Sequence, residues 1–425
     1  MIETNSLLSG SKPTAVAYGM YSDPGIFAQE QGRVFGGPTW SYLGMASEVA
    51  VAGDFRRTSV GTTPVVLTRD QDGSLRAWVN RCAHKGALVC REQRGNTGGD
   101  AFVCVYHQWA YDPSGNLVGA PFQRGLKGVG GYAPDFKRSE HGLKPLRVEK
   151  IGDMVFGTLC DATPPLENFL GPVMCANIRR VFHRPVKVLG YARQHMRGNW
   201  KLYSENSRDS YHGALLHLFY PTFGIYRQSQ ESHGEVDDEG YHSLFSVSRP
   251  SGDVAYADYG DEANREMASG TALQDPRVIE FIPDMDDGIG LSIQSLFPSV
   301  VLQQIQNTLA TRQVVPIGTE STDLLWTYFG YADDSAETTN HRLRNLNLVG
   351  PAGLISMEDG EAVEICQSGS AGAAKENSFI EMGGTDVRPD YAPMGMDENS
   401  VRGFWTGYLK LMRLDADAAS KGFSQ

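Results

Sequence analysis

Residues 81–90 read RCAHKGALVC and residues 104–111 read CVYHQWAY. Cys82 and His84 are spaced C-x-H; after 19 intervening residues, Cys104 and His107 are spaced C-x-x-H. Each pair holds one thiol and one imidazole. That suits a [2Fe–2S] cluster in which one iron takes two thiolates and the other two imidazoles. Zinc also accepts a Cys₂His₂ set, but zinc fingers pair Cys with Cys and His with His. Gly86 and the DPSG turn at Asp112–Gly115 allow loops to fold over buried sulfides, with backbone N–H groups to tune the potential. Cys90, the competing thiol, has no partner in register and is expected in the core.

The surrounding texture is short β-rich runs broken by Gly and Asp. Pro64–Leu67, a turn at Gln71–Ser74 and Leu75–Val79 predict a hairpin with Asp-Gly at its tip. The expectation is an α+β chain: a segment over 1–38 with a short helix near Pro24–Gln31, an all-β cluster domain over 39–160, and a mixed domain over 161–425. A helix is predicted around 200–218, several strands between 240 and 330, and a helix near 399–413. In that last helix Phe404, Trp405, Tyr408 and Leu411 form one apolar stripe. The Gly- and Asp-rich stretches 251–275 and 367–398 are expected as loops. KGVGGY (Lys127–Tyr132) is expected as a plain loop, because no strand-to-helix context or Lys-Ser/Thr ending supports phosphate binding.

Residues 199–217 read NWKLYSENSRDSYHGALLH. On a helix, Glu205 and Asp209, and Asp209 and His212, would share a face. His212 and His217 would diverge by about 140° unless the helix were locally underwound. Two imidazoles and one carboxylate form a triad that leaves positions on Fe(II) open for O₂ and substrate. Asp209 suits an acceptor for a histidine N–H better than a ligand. A third donor must come from farther along, where GPAGLISMEDGEAVE (Gly350–Glu364) carries several acids.

The stretch RCAHKGALVC…CVYHQWAY resembles the Rieske domain of ring-hydroxylating oxygenases. Glu205, Asn206, Asp209, Tyr211, His212 and His217 match the E-N-x-x-D-x-Y-H-x₄-H signature of the α subunits of that family. The resemblance covers nearly the whole chain. It implies a catalytic domain of antiparallel sheet and helices (helix-grip, Bet v1-like), a Rieske cluster on Cys82, His84, Cys104 and His107, and a mononuclear Fe(II) on His212, His217 and Asp359. Glu358 is the runner-up for the carboxylate. Asn206 is implied near the iron. The resemblance also implies a head-to-tail trimer in which Asp209 bridges a neighbour's His107 to His212 of its own subunit. A small β subunit (α₃β₃, with α₃ alone the alternative) and a reductase, with or without a ferredoxin, are the implied partners; no NADH or flavin fingerprint is present, so NAD(P)H-derived electrons arrive through them.

The texture most resembles the branch acting on aromatic carboxylates, such as terephthalate, anthranilate and salicylate oxygenases. Arg312 and Arg402 are the candidate carboxylate holders, since a planar guanidinium pairs a carboxylate bidentately. Ortho-substituted benzoates lead, with terephthalate the alternative. A Rieske electron carrier without oxygenase activity is the competing class. Phe219 and Phe223 are expected in the core rather than on the pocket.

Composition narrows the field. The 425 residues are 41% hydrophobic and 21% charged, with a net charge of −12. That is ordinary globular composition, and the acidic balance argues against nucleic acid as a partner. No signal peptide pattern and no long apolar run are present, so no membrane span is expected. Six cysteines, two of them in the cluster pairs, do not make a disulfide scaffold, and a cytoplasmic location is the simplest expectation.

Overall fold

Thr63–Arg69 and Leu75–Val79 pair antiparallel with Arg69 opposite Leu75, so the chain reverses over Asp70–Ser74. Gly73 takes φ +80 at the tip, a conformation that glycine adopts without strain. The predicted hairpin is therefore present. It belongs to a unit spanning Phe35–Phe169 in the computed structural model, which describes residues 4–223, 225–226, 230–249, 273–391 and 395–413. The strands of this unit are β1 (Ser41–Met45), β2 (Asp54–Val60), β3 (Thr63–Arg69), β4 (Leu75–Val79), β5 (Arg94–Asn96), β6 (Phe102–Val103), β7 (Ala110–Tyr111), β8 (Leu117–Gly119), β9 (Arg147–Ile151) and β10 (Met154–Thr158). They form three small sheets ordered β1-β10-β9, β4-β3-β2-β5 and β6-β7-β8. The DPSG turn closes with Gly115 N–H donating to Asp112 O at 2.9 Å. Cys90 is buried in the core beside Cys82 and Cys104, and burial pushes its thiol up to about 11. It is an unreactive packing residue.

The second unit combines Met1–Val34 with Leu170–Gln425. Its helices, with the boundary helix α3, are α1 (Thr4–Gly10), α2 (Pro24–Glu30), α3 (Leu166–Val181), α4 (Trp200–Asn206), α5 (Phe219–Thr222), α6 (Ala336–Val349), α7 (Leu354–Ser370) and α8 (Asn399–Arg413). Asp23 caps α2 by accepting from Ile26 N–H at 2.8 Å, with Pro24 at the first turn. Strands β11 (Val186–Met196), β12 (Ser232–Val236), β13 (Ser243–Ser248), β14 (Ile289–Leu296), β15 (Val300–Ile305), β16 (Thr308–Gly318), β17 (Ser321–Tyr331) and β18 (Asp390–Tyr391) make one antiparallel sheet. Its order is β11-β17-β16-β15-β14-β13-β12-β18. Helix α6 packs on β16 and α7 on β11.

The N-terminal segment is tied in by one buried network. Glu30 accepts from Lys201 Nζ at 2.5 Å, Trp200 Nε1 at 2.8 Å and Tyr408 OH at 2.6 Å. The Lys201–Glu30 pair is wholly buried, so removing either charge would strand the other. The α8 stripe is core-facing, with Phe404, Trp405, Tyr408 and Leu411 all buried.

Two expectations change. The helix predicted around 200–218 stops at Asn206. Ser207–Leu218 is a run of turns, because Asp209 Oδ1 accepts from Tyr211 N–H at 2.8 Å and competes with helical bonding. The loop expected over 367–398 starts later, since α7 runs to Ser370, and it contains β18. Most of the loop expected over 251–275 lies outside the described residues.

Candidate active site

In the cluster unit, Cys82 and Cys104 are buried and not disulfide-bonded. Each sits in a tight turn: Gly86 N–H donates to Cys82 O, and Gln108 N–H to Cys104 O, both at 2.9 Å. Gly86 needs its φ of +75 to make that turn. The His84 and His107 rings meet edge to face at 4.4 Å, and His84 stacks on Trp109 at 5.1 Å. His84 Nδ1 is buried with no hydrogen-bond partner. Two free buried thiols, and two neighbouring imidazoles of which one has an orphaned nitrogen, fit the mixed donor set of a Rieske cluster.

Tyr111 OH lies 3.3 Å from Cys82 Sγ while accepting from Ala83 N–H at 3.1 Å. With its acceptor side occupied, the hydroxyl proton is available to the sulfur. Replacing Tyr111 with Phe should lower the reduction potential of the bound cluster by about 40 mV, the equivalent of one hydrogen bond of about 1 kcal/mol. Redox titration of the purified variant checks this; an unchanged potential would mean that the hydroxyl does not bond to the sulfur.

The second unit builds its site from two places. His212 and His217 come from the turns after α4, and Asp359 comes from the first half of α7. Gly350 and Gly353 set up α7: a Cβ on Gly350 would lie 2.5 Å from Tyr328 OH, and one on Gly353 would lie 2.2 Å from Leu348 O. Asp359 Oδ1 is 3.4 Å from His212 Nε2 and 3.1 Å from His217 Nε2. One donor atom from each of the three residues lies within 4.8 Å of the others. Each imidazole presents Nδ1 to a further acid: Asp209 Oδ2 is 3.2 Å from His212 Nδ1, and Glu358 Oε2 is 2.7 Å from His217 Nδ1. The adjacent acids Glu358 and Asp359 thus approach opposite nitrogens of one ring. Glu358, the runner-up ligand, bonds the nitrogen of His217 that faces away from Asp359, a contact the sequence did not reveal.

The acids around the two imidazoles set the electrostatics of the site. Burial works against charge on His212, yet Asp209 and Asp359 push it up to about 10. Burial likewise opposes charge on His217, but Asp359 and Glu358 raise it. Burial favours a neutral Asp359, but the two imidazoles hold its carboxyl well below the usual range. Three carboxylates around two imidazoles demand positive charge. A divalent cation meets that demand and frees both Nε2 atoms to bind it. Asn206 Nδ2 donates to Asp359 Oδ1 at 3.1 Å, which places Asn206 beside that carboxylate. Glu205 is directed elsewhere: it accepts from Tyr21 OH at 2.7 Å, and burial pushes it up to about 7.

The triad opens on a cavity of about 90 Å³. Phe245, Leu291, Ile293, Ile305 and Ile355 give it an apolar wall, and Arg312, Tyr220 and Tyr226 are also on the lining. Arg312, on β16, is buried; it donates to Tyr203 OH at 2.9 Å and to Gln303 Oε1, and it lies over the Trp326 ring. Arg402 is not on the lining. Its donors go to Asp386 O, Met382 O, Ile380 O and Asp397 Oδ1, all near the start of α8. The expectation that Arg402 holds a substrate carboxylate therefore gives way to a structural role. Phe219 and Phe223 pair at 4.5 Å, with Phe219 packed on the core.

Among the described residues no helix is long and apolar enough to cross a membrane. Residues 39–130 match the Rieske [2Fe-2S] domain, and residues 184–413 match the ring hydroxylating alpha subunit (catalytic domain). The chain is 44% identical to the large subunit of anthranilate 1,2-dioxygenase from Burkholderia cepacia, over 93% of both chains. It is 45% identical to the terminal oxygenase component subunit alpha 2 of terephthalate 1,2-dioxygenase from Comamonas sp, over 96% of this chain and 98% of the relative. The large oxygenase component of salicylate 5-hydroxylase from Ralstonia sp is 37% identical over 95% of each. Naphthalene 1,2-dioxygenase from Rhodococcus sp. shares the fold with a TM-score of 0.81 at 21% identity, covering 98% of this chain and 99% of that one. A Rieske domain joined to a ring-hydroxylating catalytic domain, with whole-length relatives in that group, makes this chain a member of the ring-hydroxylating oxygenase α-subunit family, a terminal oxygenase that uses a [2Fe–2S] cluster and a mononuclear iron.

Proposed function

We propose that the chain hydroxylates an aromatic carboxylate held by Arg312 beside the mononuclear iron. In this proposal Cys82, His84, Cys104 and His107 hold the cluster, and His212, His217 and Asp359 hold the iron. The cluster supplies electrons one at a time, and the ferrous ion supplies the site at which O₂ is activated. The protein does the rest. Glu358 fixes the His217 tautomer, Asp209 sets a carboxylate 3.2 Å from His212 Nδ1, Asn206 steadies Asp359, and the apolar wall holds a flat ring and excludes water.

One observation carries the substrate class. A buried guanidinium lines the same cavity as the triad. A buried cation in an apolar pocket is the device expected for selecting an acid. The names of the relatives acting on anthranilate, terephthalate and salicylate support the same class. Ortho-substituted benzoates lead, with terephthalate the alternative. A reductase, alone or with a ferredoxin, supplies the electrons, and a small β subunit completes an α₃β₃ assembly.

Arg312→Gln should raise KM for the preferred acid by about 30-fold, the loss of one charge-assisted contact, and leave a neutral analogue within about twofold. Steady-state kinetics with a surrogate reductase on paired acid and amide substrates checks this. Equal effects on both would remove the carboxylate clamp.

A further inference from the structure

A terminal oxygenase consumes protons. Turning O₂ into two ring hydroxyls, or into one hydroxyl and one water, takes up two electrons and two protons. Among the described residues around the triad cavity no acid is spare for this. Asp359 and the two imidazoles are the proposed metal ligands, and Asp209 lies against His212. Tyr220 holds its proton, because burial pushes the phenol well above its ordinary value.

A second cavity, of about 210 Å³, shares Asn206, Asp209 and His212 with the first. One water needs roughly 10–15 Å³ of such space, so a file of waters fits there. Glu205, on α4, lines this second cavity and is partly accessible. Its Oε1 accepts from a neutral donor, Tyr21 OH, at 2.7 Å. No cation is bonded to it among the described residues. Lys201, one turn earlier on α4, gives its ammonium to Glu30 at 2.5 Å, and that pair is wholly buried. Arg208 donates to Ser204 O and Tyr241 O. The other titratable groups on the lining are Asp209 and His212 from the turns, Cys366 on α7 and Glu398 just before α8. Asp209 and Glu398 oppose a further negative charge. A carboxyl enclosed without a bonded cation favours its neutral form. Burial accordingly pushes Glu205 up to about 7, so it can both hold and release a proton near neutral pH.

We propose that Glu205 is the proton source of the reaction, passing protons through the second cavity to the oxygen being reduced beside His212. The carboxyl O–H bond breaks and its electron pair stays on Glu205. A new O–H bond forms on an oxygen atom of O₂. Solvent returns a proton to Glu205 through the cavity. Two such deliveries match the two electrons that the reductase provides in each turnover. This assignment does not depend on which ring acid is bound.

The test uses the oxygenase loaded with iron and cluster. Infrared difference spectra of the resting enzyme, taken between about pH 5 and pH 9, should show a protonated-carboxyl band that fades as pH rises through about 7. Glu205→Gln should lack that band. Single turnover of the reduced enzyme with O₂ is then followed, with ortho-aminobenzoate and terephthalate as the probe acids. The wild-type rate should fall about tenfold per pH unit above about 7, because only the protonated carboxyl donates. Glu205→Gln should lower the rate near neutral pH by about 100-fold and flatten its pH dependence, with iron content and cluster spectrum unchanged. Tyr21→Phe removes a donor that favours the carboxylate, so the band and the break in rate should both move to higher pH. A band near 7 that survives Glu205→Gln, or a rate that keeps its wild-type pH dependence in that variant, would overturn the proposal. Loss of iron or of the cluster from Glu205→Gln would overturn it too, by making Glu205 a structural residue.

Discussion

Asp359→Ala should leave the cluster intact and empty the second site, so that iron falls from about three per chain to about two. Three carboxylates now balance the two imidazoles, and Asp359 is the one that faces both Nε2 atoms, at 3.4 and 3.1 Å. Its side chain is only 6% exposed, so water cannot easily replace it. Loss of an outer partner of a metal-binding histidine costs about 10- to 100-fold in affinity or activity, and loss of a ligand should exceed that range. Metal analysis, a cluster spectrum and turnover on the same preparation decide the matter. Full iron content in the variant would reassign the carboxylate, with Glu358 the first candidate.

Asp209→Asn should do the opposite: keep all the iron and stop the reaction, with product formation down by more than about 100-fold. Asparagine keeps the oxygen that accepts from Tyr211 N–H, so the local turn survives. What it loses is a charge 3.2 Å from His212 Nδ1, on a side chain 25% exposed and so able to take a second donor from outside. We propose His107 of a neighbouring subunit as that donor. A carboxylate accepting from two imidazoles couples two metal centres by hydrogen bonds. Stopped-flow reoxidation of the reduced cluster measures the step directly. A wild-type rate would end the bridging role.

The cluster pairs were legible because ligand spacing is local: Cys82, His84, Cys104 and His107 lie on two short turns, the first of which the sequence marks with Gly86. The histidine pair was equally legible, but its backbone was not. Apolar periodicity continues past Asn206, yet Ser207, Asp209 and Ser210 favour turns and Gly213 favours neither. Weighing those residues would have ended the helix on time. Arg312 and Arg402 look alike in sequence, each an arginine in an apolar run. Only the order of the sheet puts one on the cavity, while backbone carbonyls near α8 claim the other. The Glu30–Lys201 pair gave no signal, because its role depends on contact between distant segments.

The two acids that grip His217 from either side are consecutive residues of a single rigid helix. Adjacent helical positions differ by about 100° in direction, so their offset is built into the backbone rather than into two independent loops. A point substitution in Leu354–Met357 would leave that geometry standing. One residue added or deleted there would turn both carboxylates away together. The stretch from Gly353 to Asp359 therefore behaves as a measured length, and evolution of this enzyme can change its letters far more freely than their number.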